Sequence, residues 1–116
     1  MTDHREMLEL AARAMGYSHT TDNVRSDLGI LIDGMHASKT DRTYTCWNPL
    51  TSSSECADMC AALGIDTKWG ASIVACGSDR VLRWLAEPCA KLEYRPAAWR
   101  LAALRVAAEI GKGMQG

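Results

Sequence analysis

The chain has 116 residues, of which 47% are hydrophobic and 23% are charged, and its formal net charge is −1. This length matches one hydrophobic core, so we predict a single domain over residues 1–116. The ordinary apolar content excludes a disordered or collagen-like chain, and the near-zero charge argues against a surface that is basic throughout.

The first predicted element is an amphipathic helix over residues 3–15. Asp3 is in position to cap this helix, with Glu6 three residues later as in a capping box. Gly16 follows, as expected of a left-handed residue that ends a helix. The mixed polar residues 17–28 are predicted to form a loop. Apolar residues recur along the helix at helical spacing, namely Met7, Leu10, Ala11, Ala14 and Met15.

Five segments are predicted to be strands because they are short, apolar or β-branched, and mostly bounded by turn residues. A hairpin is expected between the first two, and the third and fourth flank a Gly-Ala turn. The fifth also fits a helical turn, and its alternating pattern favours a strand. The five segments are residues 29–34, 43–47, 66–69, 72–76 and 80–87.

A second helix is predicted after the Trp-Asn-Pro turn. Ser52 is its expected cap, with Glu55 as the partner of a capping box, and Gly64 is the expected end. Ile65 is expected to fold back on the last turn. The apolar stripe of this helix consists of Cys56, Met59, Cys60 and Leu63.

The third predicted helix spans residues 97–110, after a loop over residues 88–95 and with Pro96 in its first turn. Its apolar arc is wider than half the circumference, so it needs burial against a sheet or a partner. Together these elements indicate an α+β fold in which three helices pack on a small, largely antiparallel sheet of about 4–5 strands.

Three segments in this order and spacing resemble the small phage and prophage proteins of the phage ABA sandwich domain family. They are Leu8–Gly16, Trp47–Thr51 with the helix that follows, and Arg105–Lys112 with Met114 and Gln115. The resemblance implies a three-layer α-β-α sandwich and expression inside a bacterium, and it implies no catalytic residues. The chain has Ser52-Ser53-Ser54 where relatives often carry acidic residues, which puts a binding role of that cluster in doubt.

Cysteine usage indicates a reducing compartment. The chain has five cysteines, an odd number, and no signal peptide precedes its charged N-terminus, so free thiols in the bacterial cytoplasm are expected. No apolar stretch is long enough for a membrane span. Cys56 and Cys60 lie four residues apart and are weak candidates for zinc ligands, against the alternative that both are core residues. No cofactor is expected.

Enzymatic chemistry has no clear signal in the sequence. His4, His19 and His36 are scattered, and neither a Gly-rich phosphate loop nor a Gly-x-Ser-x-Gly elbow is present. We therefore predict a protein without catalytic residues that is not an enzyme.

The string Trp47-Asn48-Pro49 has two interpretations. As structure, Trp47 fills the space between sheet and helix while Asn48 makes the turn. As function, an exposed tryptophan beside a turn is an interface anchor. Under this second interpretation the candidate protein-binding residues are Trp47, Asn48, Asp58 and Asp66.

Charge is distributed unevenly along the chain. Residues 1–79 hold 6 basic and 11 acidic residues, a net charge of −5, and residues 80–116 hold 7 basic and 3 acidic residues, a net charge of +4. The acidic part suits a basic target protein. The basic part offers an alternative nucleic-acid interface, with phosphate pairing by arginines and base stacking on Trp84, Tyr94 and Trp99. The candidate arginines are Arg80, Arg83, Arg95 and Arg100.

The first functional hypothesis is a non-enzymatic phage accessory protein that binds a host or phage protein, for example as an anti-CRISPR-like inhibitor of a bacterial defence system. The size and the phage resemblance suggest this role by analogy. The alternatives are nucleic-acid binding through residues 80–105 and a zinc-supported interaction module. A homodimer is also expected, because four tryptophans and the wide apolar arc exceed what one thin sheet covers.

Overall fold

A computed structural model describes residues 4–16, 19–20, 30–33 and 44–114. This part of the chain contains three α-helices, six β-strands and one 3₁₀ turn. In chain order they are α1 (His4–Ala14), β1 (His19–Thr20), β2 (Ile30–Asp33), β3 (Tyr44–Trp47), α2 (Ser53–Leu63), β4 (Asp66–Trp69), β5 (Ile73–Ser78), β6 (Val81–Pro88), the 3₁₀ turn (Leu92–Tyr94) and α3 (Arg95–Gly113).

The strands form two antiparallel sheets of three strands each, in the orders β1-β2-β3 and β4-β5-β6. The predicted α+β class is confirmed. The predicted single sheet of 4–5 strands is wrong, since no strand pairing joins the two sheets within the described residues. The reason is tertiary: β2 contacts α1, whereas β5 and β6 contact α3, so each sheet packs on a different helix.

The first sheet confirms the predicted hairpin pairing. Ile30 lies opposite Trp47 in an antiparallel register between β2 and β3. The predicted loop over residues 17–28 is wrong at its start, because His19 and Thr20 form β1 and pair with β2. A two-residue strand is too short to carry an alternating pattern.

The second sheet confirms the predicted strands, including the ambiguous last one. Segment 80–87 is a strand because β6 pairs with β5, with Leu85 opposite Cys76. The strand continues to Pro88, which is tolerated because β6 is an edge strand. The predicted loop 88–95 is therefore shorter than expected and contains the 3₁₀ turn.

The start of α2 is capped by Ser52, as predicted. Its Oγ accepts a hydrogen bond from the Glu55 N–H at 3.2 Å. The Glu55 carboxylate does not return to Ser52 but accepts from the Asn48 N–H at 2.7 Å. The Ser52 N–H instead donates to the Asn48 carbonyl at 3.0 Å, so the turn and the helix start form one hydrogen-bonded unit.

Two helices end at glycines in the left-handed region, as predicted. Gly16 follows α1 with φ 77°, and Gly64 follows α2 with φ 66°. Ile65 then donates its N–H to the Cys60 carbonyl at 2.9 Å, and its side chain is buried. This return contact is the arrangement that the Gly64–Ile65 pair predicts.

Helix α3 is the centre of the molecule, since it contacts α1, α2, β5 and β6. It is longer than the predicted 97–110 at both ends, and Pro96 lies in its first turn. The wide apolar arc is thus buried within the chain. Even so, none of the helices in the described part has the length and hydropathy that crossing a membrane requires. The buried residues of α3 are Ala102, Ala103, Leu104, Val106, Ala107, Ala108, Ile110 and Gly111.

Helices α1 and α3 approach closely at Gly111. A Cβ atom built on Gly111 would lie 2.7 Å from the Leu10 carbonyl carbon and closer still to the carbonyl oxygen. These are backbone atoms, so they can yield only if the whole of α1 shifts. Glycine at this position therefore sets the separation of the two helices.

The second sheet is covered on one face only among the described elements. Thr67 and Cys76 lie on the face toward α3, where the Trp99 indole donates to Thr67. Trp84 and Ile73 lie on the opposite face and are 43% and 45% exposed. This differs from the sandwich implied by the family resemblance, in which helices cover both faces of a sheet.

We expect Gly111→Ala to lower the free energy of unfolding by about 1–3 kcal/mol, the usual cost of overpacking a tight contact. Gly113→Ala is the matched control, because it lies in the same helix and a Cβ there meets nothing within 4 Å. That control should be neutral or gain up to about 1 kcal/mol from helix propensity. Urea denaturation of both variants measures the difference, and equal stabilities would show that the contact is not tight.

Removal of the α2 cap has a smaller expected effect. Ser52→Ala should lower the free energy of unfolding by about 1 kcal/mol, because the Glu55 N–H loses its acceptor. Ser54→Ala, at an exposed position in the first turn of the same helix, should change it by less than about 0.5 kcal/mol. Thermal unfolding followed by circular dichroism compares the two.

Candidate functional site

Two of the four predicted protein-binding residues are buried. Trp47 is 5% exposed and belongs to the hydrophobic core, and Asn48 is 7% exposed. The Asn48 side chain accepts a hydrogen bond from the Leu50 N–H at 3.0 Å, which forms the turn before α2. Asp58 on α2 and Asp66 on β4 are exposed. The burial of Trp47 and Asn48 favours the structural interpretation of this string.

Arg95, a predicted nucleic-acid contact, binds its own chain. Its guanidinium donates to the Gly70 carbonyl at 2.9 Å and to the Ala71 carbonyl at 3.2 Å. It also lies 4.9 Å from the centroid of the Trp69 ring. The side chain therefore fastens the β4–β5 turn to the start of α3.

Arg100 acts in the same way on the segment before α2. It donates to the Leu50 carbonyl at 2.7 Å and to the Ser53 hydroxyl at 2.8 Å. Of the four predicted arginines, Arg80 and Arg83 have exposed side chains and no carboxylate within 4.0 Å among the described residues. The structure therefore does not bring the four arginines together as one free basic patch.

The aromatic residues proposed for base stacking also lie apart from one another. Trp99 is half-buried and donates its Nε1–H to the Thr67 hydroxyl at 3.1 Å. Trp84 lies on the other face of the sheet, with the Lys68 ammonium 4.3 Å from its ring centroid. Tyr94 is 56% exposed on the 3₁₀ turn. No common stacking surface results.

An open cleft of about 440 Å³ lies between α1, β6 and α3, and we call it the α1–β6 cleft. Its lining contains an apolar group and an ionisable group of side chains. The apolar residues are Met7, Leu10, Leu85, Leu101 and Ala108. The ionisable residues are His4, Arg83, Glu87, Arg105, Glu109 and Lys112.

Most charges in the α1–β6 cleft are paired. Arg105 forms an ion pair with Glu87 and also lies 3.5 Å from the Ala86 carbonyl. Lys112 lies 3.9 Å from Glu109. Arg83 has no such partner among the described residues, so the cleft carries one uncompensated cation over an apolar floor.

The cleft was not found from the sequence because its residues come from both ends of the chain. One local signal was present. Alternation along β6 places Arg83, Leu85 and Glu87 on the face toward α3, and two charged residues on an inward face indicate a polar site or internal ion pairs. Of the three scattered histidines, His4 lies in the cleft, His19 lies in β1, and His36 is outside the described residues.

The uncovered face of the second sheet is the other distinctive surface, and we call it the outer face. Trp84 lies across Gly77, where an added Cβ would come within 2.9 Å of the ring. Lys68 and Asp66 border this surface on β4. The outer-face residues are Asp66, Lys68, Ile73, Ala75, Gly77, Trp84, Ala86 and Pro88.

Four cysteines, Cys56, Cys60, Cys76 and Cys89, are free thiols in different surroundings. Cys56, Cys76 and Cys89 are buried, while Cys60 is half-buried. Hydrogen bonding to Cys60 and burial raise the pKa of the Cys56 thiol, and the same hydrogen bond lowers the pKa of Cys60. Burial raises the pKa of Cys76. Within the described residues, no group of three or more His, Cys, Asp or Glu side chains is arranged to hold a metal ion.

We expect iodoacetamide to label Cys60 before Cys56, Cys76 or Cys89 in the native protein, because Cys60 combines access with a lowered pKa. Its labelling rate should rise with pH and level off below the pH at which an ordinary thiol does. Mass spectrometry of peptides after brief labelling measures the order. Earlier labelling of Cys56 would contradict the raised pKa of its thiol.

No protein-family model, curated protein or solved structure matches the chain.

Proposed function

We propose that this is a small, non-catalytic binding protein of a phage or prophage, which acts inside a bacterium by docking on a host or phage protein. The α1–β6 cleft is the observation that carries the proposal. Its volume of about 440 Å³ accommodates a few side chains of a partner segment, and its opening admits a chain from solvent.

The cleft chemistry specifies the partner segment. An apolar floor of Leu10, Leu85 and Ala108 favours apolar side chains. Within the described part of the chain, Arg83 has no carboxylate partner, and its guanidinium offers a planar fork of donors that matches a carboxylate. The segment that fits is therefore acidic and apolar, with a carboxylate next to one or two aliphatic side chains.

The two carboxylates of the cleft support binding over catalysis. Glu87 is held by Arg105, and Glu109 lies beside Lys112, so each has a cation partner within its own chain. Both pairs place a cation beside a carboxylate at the rim, so neither glutamate is an isolated negative charge. They shape the selectivity for the segment that enters, because a wrongly placed acid would face a glutamate.

The biological setting rests on the family resemblance. A phage accessory protein that occupies a binding surface on a host defence protein would inhibit it by steric exclusion, as an anti-CRISPR-like inhibitor does. The resemblance and the small size support this setting, and the cleft supplies a means of binding.

Nucleic-acid binding is the alternative hypothesis, and Arg80 and Arg83 are the arginines that would contact phosphates. Arg95 and Arg100 hydrogen-bond to the chain itself, so they are less free to pair with phosphates. A salt-dependent gel shift separates the two hypotheses, because phosphate contacts weaken steeply as salt rises.

The decisive experiment uses the wild-type protein, Arg83→Glu and Arg80→Glu as immobilised baits in a bacterial lysate. A protein recovered in stoichiometric amount is then purified and titrated against each bait by calorimetry. Arg83→Glu should weaken binding about tenfold or more, because a carboxylate in the partner would then face a carboxylate in the cleft. Arg80→Glu is the matched control, because it removes another exposed arginine that lies next to β6 but outside the cleft.

Equal affinity of the two variants would contradict the cleft as the binding site. A failure to recover any partner, together with a gel shift that Arg80→Glu and Arg83→Glu both reduce, would favour the nucleic-acid hypothesis.

A further inference from the structure

The outer face is an apolar sheet surface that no described element covers. Val74, Cys76 and Leu85 point to the opposite face and are buried at 0%, 0% and 6% exposure. By alternation, their strand neighbours Ile73 and Trp84 point outward and are 45% and 43% exposed. Antiparallel sheets of this kind often have one solvated face, but that face then carries polar residues.

We propose that the outer face is a two-fold interface at which two copies of this chain pack sheet against sheet. The inference is independent of the proposed function, because the α1–β6 cleft lies on the other side of β6. It rests on the charges, the side-chain sizes and the exposure of the outer face.

The charges of the outer face are complementary to themselves. Asp66 and Lys68 lie two residues apart on β4 and project from the same side of the strand. In a two-fold interface a contact between residue i and residue j occurs twice, so Asp66 of each copy can pair with Lys68 of the other. A uniformly acidic or basic partner would leave one of these two charges opposite a like charge.

The side-chain sizes suit close packing of two sheets. Ala75 and Ala86 are small and lie opposite each other in the β5–β6 register. The Trp84 ring lies across Gly77, and it has room there because glycine has no side chain: a Cβ at this position would come within 2.9 Å of the ring. Sheets pack about 10 Å apart when their facing residues are of this size.

The dimer would place the two clefts on its outside. Arg83 and Glu87 line the cleft from the face of β6 opposite to Trp84, so contact through Trp84 leaves the cleft open. Two open clefts in one particle would allow bivalent binding to a repeated partner.

Light scattering coupled to size-exclusion chromatography, over a dilution series of the full chain, tests the proposal. The wild-type protein should be a dimer at high concentration, and Ile73→Glu should shift it to a monomer. Leu92→Glu is the matched control, since Leu92 is 83% exposed on the 3₁₀ turn and lies off the outer face, and it should remain a dimer. Circular dichroism checks the fold of each variant, and Ala86→Glu replaces Ile73→Glu should the latter unfold.

A charge exchange tests the register of the two copies. Asp66→Lys and Lys68→Asp should each raise the dimer Kd about tenfold or more, because each places like charges opposite one another. The double variant should restore dimerisation, since the two charges are again complementary. A wild-type protein that is monomeric at every concentration would overturn the proposal. A dimer whose Kd is unchanged by Ile73→Glu and by the charge reversals would overturn it as well.

Discussion

The close approach of α1 to α3 at Gly111 is the constraint on which the rest of the structure depends. With no side chain at Gly111, the backbone of α1 at Leu10 reaches the surface of α3. Helix α3 then contacts α1, α2 and the second sheet at once, which explains why its apolar arc exceeds half of its circumference. The same separation affects the width of the α1–β6 cleft, because Leu10 of α1 and Ala108 of α3 both line it.

The arginines of α3 explain the uneven charge of the chain. Arg95, Arg100 and Arg105 each bind a different segment, namely the β4–β5 turn, the approach to α2 and strand β6. Most of these contacts are hydrogen bonds to backbone carbonyls, which would otherwise need water as their donor. Three of the seven basic residues in the segment 80–116 therefore serve the fold itself, whereas Arg83 has no carboxylate partner among the described residues of the cleft.

Strand β6 separates two surfaces with different chemistry. The face toward the helices carries the charged residues Arg83 and Glu87 on either side of the apolar Leu85. The face away from the helices carries Trp84 and Ala86. Alternation along one strand thus places a polar cleft and a flat apolar face back to back. The two proposed interactions therefore use opposite faces of the same strand.

The sequence by itself determined the α+β class, most strands, the three helices and their ends at Ser52, Gly16 and Gly64. These features depend on residues close in the chain, namely caps, left-handed glycines and apolar periodicity. Only the tertiary structure decided that the strands form two sheets, that Trp47 is buried and that Arg95 and Arg100 bind their own chain. It alone assembled the cleft, because His4, Arg83 and Lys112 become neighbours only when α1 packs against the end of α3. Contacts between residues this far apart depend on packing, which no local pattern specifies.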